Sequence, residues 1–264
     1  AAEVGCNTFL LEKGNELGGL ASLISKIPAK NRLADFPHYL MHRAEQLDNL
    51  YIFKNTEGTP ENIRKFHPNI IVSSTGSAPL LPPIAGLKDR IDNENHNIYS
   101  ILGMISHIND FPKDLEGKKV VVVGGGAVGL DVVEFFADRN ADISIVEMMD
   151  QIGRDLDPVS KNDTKTMMKK HNVHQLTKTA LLEVKDSSFL VRGDGEPYEL
   201  PFEYGFVCLG MRAQGQLYQN LTEEFSSEDV EIMNIGDSQR ARRIIDGTQE
   251  GRNILTILEQ KGYF

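Results

Sequence analysis

Residues 118–147, KKVVVVGGGAVGLDVVEFFADRNADISIVE, constrain the fold of this 264-residue chain more than any other stretch. Val120 to Val123 form an unbroken β-branched run, the pattern of a parallel strand buried on both faces. Gly124, Gly126 and Gly129 follow at G-x-G-x-x-G spacing. Val128, Val132, Val133, Phe135 and Phe136 then give a helix with a wide apolar face. Each glycine has a reason: the first permits a tight turn, the second lets backbone approach a pyrophosphate, and the third lets helix and strand pack closely. The next apolar run closes on Glu147, 21 positions after Gly126. There a carboxylate can accept hydrogen bonds from both ribose hydroxyls.

The same carboxylate would repel a 2′-phosphate, which calls for Arg or Lys instead, so the residues favour NADH over NADPH. Composition agrees with a soluble nucleotide-binding chain. The 28 basic and 38 acidic residues leave a net charge of −10, which argues against nucleic acid as the main partner. Cys6 and Cys208 are far apart and form no CxxC, so nothing supports a cysteine-held cluster, a zinc site or a disulfide framework. That cysteine usage fits a reducing, cytoplasmic compartment. No apolar run approaches the roughly 20 residues that span a bilayer, so no membrane partner is expected.

The opening residues read as a partial copy of the same template. CNTFLLEK, residues 6–13, has the form of ADISIVEM, an apolar strand closing on an acid, and AAEV before it reads as the last turn of a helix. Residues 1–12 therefore match the second half of a dinucleotide fold whose first strand and glycine fingerprint are absent. Further strands running into glycine turns are expected at Ile70–Val72 before Ser74-Thr75-Gly76, in YGFVCLGMR at 204–212, and in EIMNIGD at 231–237. Strand ends of this kind are where ligands bind in open α/β sheets. Residues 181–207 alternate and turn at Asp186-Ser187-Ser188 and Gly193-Asp194-Gly195, which predicts a small antiparallel meander.

Taken in order, E-K-x-x-x-L-G-G, STGSAPLLPPIAG, VVVGGGAVGLDVVEFF, CLGMR and NIGD resemble the two-dinucleotide-domain flavoprotein reductases. Within these, LGGLASLISKIPAKNRLADFPHYL is most similar to the C-terminal FAD/NAD region of the old-yellow-enzyme-related NADH:flavin oxidoreductases, such as 2-enoate reductase, 2,4-dienoyl-CoA reductase and the bile-acid-inducible flavin oxidoreductases. The disulfide reductases carry a cysteine pair after GG, where this chain has Leu20, Ala21, Ser22 and Ser25, so thiol exchange with a disulfide is not expected.

The resemblance implies an α/β fold of two nested Rossmann-like, glutathione-reductase-like domains. The FAD-type domain would use residues 1–105 and 218–264, lacking its first strand, and an NAD(H) domain would occupy 106–217. By the same resemblance Gly124, Gly126, Ala127, Val128, Gly129, Glu147 and Gly210 bind NAD. Glu12 and Lys13 at the strand end, Gly18, Gly19, Thr75 and Gly76 line FAD. Gly236 and Asp237 match the family's GD pair, whose Asp holds the ribityl chain, with a following helix aimed at the flavin.

The expected activity is hydride transfer from NADH to FAD, feeding a distant FMN site. In these relatives FMN and an iron–sulfur cluster sit in an N-terminal barrel, which is missing here. A non-catalytic ADP-holding module, as in the trimethylamine dehydrogenase branch, and a stand-alone NADH oxidase are the alternatives. A homo-oligomer is left open.

Other residues carry weaker signals. His38 and His42 at i, i+4, and His171 and His174 at i, i+3, read as solvated helix faces without a third metal ligand nearby. Arg240, Arg242 and Arg243 suit either a flavin phosphate or surface ion pairs. Asp157 and Pro158 read as an N-cap and first helical residue, and Met148, Met149, Met167 and Met168 as core filler and helix face. No catalytic side chain is named, because the cofactors carry hydride chemistry.

Overall fold

The computed structural model describes residues 1–263; Phe264, the last residue of the expected second FAD-type segment, lies outside them. The chain forms two compact units, one of residues 1–26, 30–78 and 211 onward, the other of 27–29 and 79–210. These borders differ from the expected 105/106 and 217/218. Ile98–Tyr99 adds a parallel strand beside Tyr204–Val207, and the Ile101–Ser106 helix buries Ile101, Met104 and Ile105, so residues 98–106 belong to the second unit. Conversely, Gln216–Glu224 buries Leu221 against Ile71 and Phe225 in the first unit.

In the second unit five parallel strands run in the order Ile98–Tyr99, Tyr204–Val207, Lys119–Val123, Asp142–Val146, His174–Leu176. Val120 to Val123 are all buried because both faces are covered. On one face Phe136 of the Ala127–Ala137 helix meets Phe206, Phe111 and Phe135 with ring centroids 4.8 to 5.1 Å apart. On the other face Val121, Val123 and Val207 pack with Val184, Phe189, Val191 and Phe202.

That second layer is an antiparallel meander of Ala180–Val184, Ser188–Arg192 and Tyr198–Pro201, with turns where the sequence placed them. Its expected last part, Tyr204–Val207, instead joins the parallel sheet. Gly205 makes this layering work, since a Cβ there would lie 2.7 Å from the rings of Phe189 and Phe202.

In the first unit the parallel strands form two separate ribbons. Thr8–Leu11 pairs with Leu50–Phe53, and Ile70–Ser73 pairs with Glu231–Asn234. No strand among the described residues joins the ribbons. One short helix serves both. Pro60–Arg64 starts with Thr59 accepting the Asn62 N–H at 3.2 Å, and its Ile63 packs on the Ile71, Leu221 and Phe225 cluster. Phe66, just beyond it, lies 4.7 Å from the Phe9 ring and 5.3 Å from the Phe53 ring. The residues AAEV do form a helical turn, Ala2–Val4.

Phe136 is fully buried at the centre of the aromatic layer. Phe136→Ala is expected to destabilise the native state by about 3–5 kcal/mol, read as a lower denaturant midpoint. Cys208, after the Tyr204–Val207 strand, is also buried, and desolvation pushes its thiol from 9.0 up to about 12. Cys208 therefore favours the native state fully below pH 9 and loses that contribution as pH rises toward 12. At pH 8 a thiol alkylating agent is expected to modify Cys208 only after denaturation, a result that mass spectrometry of the labelled peptides checks.

Candidate functional site

The glycine turn between Lys119–Val123 and the Ala127–Ala137 helix is built by contacts that admit no side chain. Gly124 has φ +110°, and a Cβ there would collide with the Cys208 carbonyl oxygen. A Cβ on Gly129 would strike the Gly124 carbonyl oxygen, so helix and strand meet backbone to backbone. Gly126 is the N-cap and offers no side-chain cap, leaving the first helical N–H groups without that internal acceptor. Ala127 is exposed and Val128 half-buried at this end.

Gly125, which the spacing rule treats as a free position, is buried like Gly124 and Gly129. Its N–H donates to Glu147 Oε2 at 2.6 Å, and its carbonyl accepts the Gly153 N–H at 2.7 Å. Ile152 would lie 3.1 Å from a Cβ there. The run of three consecutive glycines was the sequence signal for it. Glu147 Oε1 accepts the Met149 N–H at 2.7 Å, so two backbone donors fix the carboxylate beside the turn. Each oxygen keeps lone-pair capacity for a hydroxyl.

The 151–156 loop closes over the turn, and the Asp155 carboxylate oxygens lie 3.8 and 3.9 Å from the Gly126 Cβ position. Gly210, at φ +101°, accepts the Leu80 N–H at 2.9 Å. The residues of this end fit a dinucleotide: uncapped donors for a pyrophosphate and a fixed acceptor for ribose.

In the first unit the expected residues fall into two groups. At the end of the Thr8–Leu11 strand, Glu12 Oε1 accepts the Gly14 N–H at 2.6 Å, and Lys13 pairs with Glu57 at 2.8 Å. Gly18 at φ +103° and Gly19 at φ +51° open the Gly19–Ile24 helix, which holds Leu20, Ala21 and Ser22. The second group lies at the ends of the other ribbon. Thr75 Oγ1 donates to the Gln214 carbonyl at 2.6 Å, and Gly76 accepts the Gln214 N–H at 3.0 Å. Asp237 accepts from Ser77 Oγ and from the Arg242 N–H, both at 3.0 Å. Gly236, at φ +66°, donates its N–H to Glu250 Oε2 at 2.6 Å.

Ser77 and Glu250 carried no sequence signal, because only the fold brings them to the turn. The acid of one group and the Gly-Asp turn of the other fit the ribose and polyol ends of a flavin dinucleotide. The pyrophosphate-binding glycine loop of such a half is not among the described residues.

Several expectations are revised. His171 ends the Pro158–Lys170 helix and His174 begins a strand, so they share no helix face; His174 faces Asp142 at 3.4 Å. Met148 and Met149 are exposed at the Glu147 strand end, whereas Met168 is core. Arg242 and Arg243 pair with Glu250 and Asp246, which favours the ion-pair reading for both. The helix after the Gly-Asp pair begins only at Ile244, beyond a single 3₁₀ turn. Asp157 caps its helix as expected, accepting the Val159 and Ser160 N–H groups. Among the described residues no cluster of three His, Cys, Asp or Glu could hold a metal ion, and no helix is long and apolar enough to cross a membrane.

Comparison with known proteins is consistent with this geometry. The chain is 25% identical over 252 residues to an NADH oxidase of Thermoanaerobacter brockii, covering 95% of this chain and 37% of that protein. It is 25% identical to a metal reductase of Desulforamulus reducens, covering 96% of this chain and 40% of that one. It thus spans about two fifths of the length of these curated relatives. The solved structure of a 2-naphthoyl-CoA reductase in complex with 2-naphthoyl-CoA superposes with a TM-score of 0.79 at 22% identity, over 95% of this chain and 36% of that one. The pyridine nucleotide-disulphide oxidoreductase family matches residues 41–233, and the chain belongs to that family.

Proposed function

We propose that the chain accepts hydride from NADH and passes it to FAD, supplying a distant FMN-type site that reduces the final acceptor. The observation that carries the reading is the Glu147 carboxylate, held by the Gly125 and Met149 N–H groups beside an uncapped helix N-terminus. That arrangement supplies donors for a pyrophosphate and a preformed acceptor for the adenosine ribose. In this reading NADH supplies the hydride and the flavin receives it, so the protein's part is to bind and orient.

Gly124, Gly126, Ala127, Val128, Gly129 and Gly210 shape the nicotinamide-nucleotide end. Gly124 and Gly129 act by close approach, and Gly126 as the N-cap that brings no side chain of its own to the helix end. Glu12 and Lys13, Gly18, Gly19, Thr75, Gly76, Gly236 and Asp237 line the flavin end. Asp237, already holding two donors, adds ribityl hydroxyls to its hydrogen bonds. The relatives named as reductases and as an NADH oxidase support an electron-transferring role, and their greater length supports further domains that carry the acceptor chemistry.

The same carboxylate sets the nucleotide preference. Binding titrations are expected to show NADH preferred over NADPH, because a 2′-phosphate would meet Glu147. Glu147→Gln should weaken NADH binding by about tenfold and narrow the preference, since a charge-assisted acceptor becomes a neutral one. Equal affinity for both nucleotides in the unaltered chain would sink the NADH assignment. Anaerobic NADH added to the FAD-loaded chain should bleach the flavin absorbance. Tight ADP binding with no NADH response would instead identify a nucleotide-holding module.

A further inference from the structure

The turn after the Glu231–Asn234 strand is held by a residue far along the following helix. Glu250 lies 14 positions beyond Gly236, yet its Oε2 accepts the Gly236 N–H at 2.6 Å. Its other oxygen, Oε1, accepts from Arg242 Nη2. Arg242 in turn donates its backbone N–H to Asp237 Oδ1 at 3.0 Å, and Ser77 donates to Asp237 Oδ2 at 3.0 Å. The Ile244–Gln260 helix passes the turn at Gly247, whose Cβ position is 3.5 Å from Gly236 Cα, an ordinary van der Waals contact.

This differs from an ordinary surface ion pair. Exposed pairs contribute little because two long side chains must be ordered in water. Here both partners are partly shielded, with side chains 29% and 24% exposed, and each is tied to the turn by a second bond. Pairing with Arg242, and after it the Gly236 N–H, holds the Glu250 carboxyl below its usual range, so it remains an anionic acceptor at neutral pH. Gly236 sits at φ +66°, and with Glu250 accepting its N–H the turn is fixed at both Gly236 and Asp237.

We propose that Glu250, acting through Arg242 and the Gly236 N–H, is the positioning residue that presents the Asp237 carboxylate to the polyol chain of a bound flavin dinucleotide. The inference rests on the flavin reading of Asp237 given under Proposed function. Glu250 is not a catalytic residue, since it touches neither cofactor nor reacting atoms; it sets where the acceptor stands.

The test measures FAD, ADP and NADH affinities of the whole chain and of its Glu250→Ala and Glu250→Gln variants. Glu250→Ala is expected to weaken FAD by about tenfold, because a charged hydrogen-bonded anchor is lost. ADP, which lacks the polyol, and NADH, which binds the other unit, should keep their affinities. Glu250→Gln should recover part of the FAD affinity, as its side-chain oxygen can still accept the Gly236 N–H. Unchanged FAD affinity in Glu250→Ala overturns the proposal and leaves the flavin reading standing. Parallel loss of FAD and ADP also overturns it, because that pattern marks a general loosening of the unit. Failure of the unaltered chain to bind FAD removes the flavin reading itself, and this inference with it.

Discussion

Everything in the second unit depends on one backbone-to-backbone approach. The helix after Val123 can begin at the strand end only because Gly129 lets it rest on the Gly124 carbonyl, and Gly124 can turn only because it meets Cys208 with no side chain. A side chain at either point would push the helix off the sheet. The aromatic layer under Phe136 would then open, and the N–H groups aimed at the turn would lose their direction. Packing is thus set by absent atoms, and in the proposed reading the same atoms set nucleotide binding, which would tie stability to recognition in this unit.

This dependence explains what the sequence made legible. The 118–147 stretch is locally consistent: β-branched strand, spaced glycines, apolar helix face and terminal acid all specify one arrangement, and the structure follows it. The meander's turns were equally readable. What escaped were relations between segments distant in sequence. Tyr204–Val207 could be read both as a strand running into a glycine turn and as the end of the meander, and its pairing in parallel with Lys119–Val123, with Gly205 admitting the rings of Phe189 and Phe202 above it, separates the two. Ile98–Tyr99 is too short to announce itself and becomes a strand only by pairing with its neighbour.

The site shows the same division. Glu147 was visible because strand periodicity places it at the sheet's carboxyl end. Its actual partners were not, since the Gly125 and Met149 donors depend on how the turn closes. Likewise the Gly-Asp pair was readable while Ser77 and Glu250 were hidden, one on a crossing strand and the other well along the following helix. Of the two cysteines, Cys208 is buried with its thiol pushed up by desolvation, whereas Cys6 is half-buried, a difference that their spacing did not show.

The two ribbons of the first unit have a consequence for behaviour in concentrated solution. Each leaves a parallel edge whose backbone groups have no strand partner among the described residues, flanked by exposed Phe9, Tyr51, Phe53 and Val72. Open edges of this kind are templates for pairing with other chains. Against this stands the net charge of −10, which keeps molecules apart at low salt and is screened beyond about 8 Å at physiological ionic strength. Salt that screens this charge therefore removes the repulsion that opposes pairing at these edges.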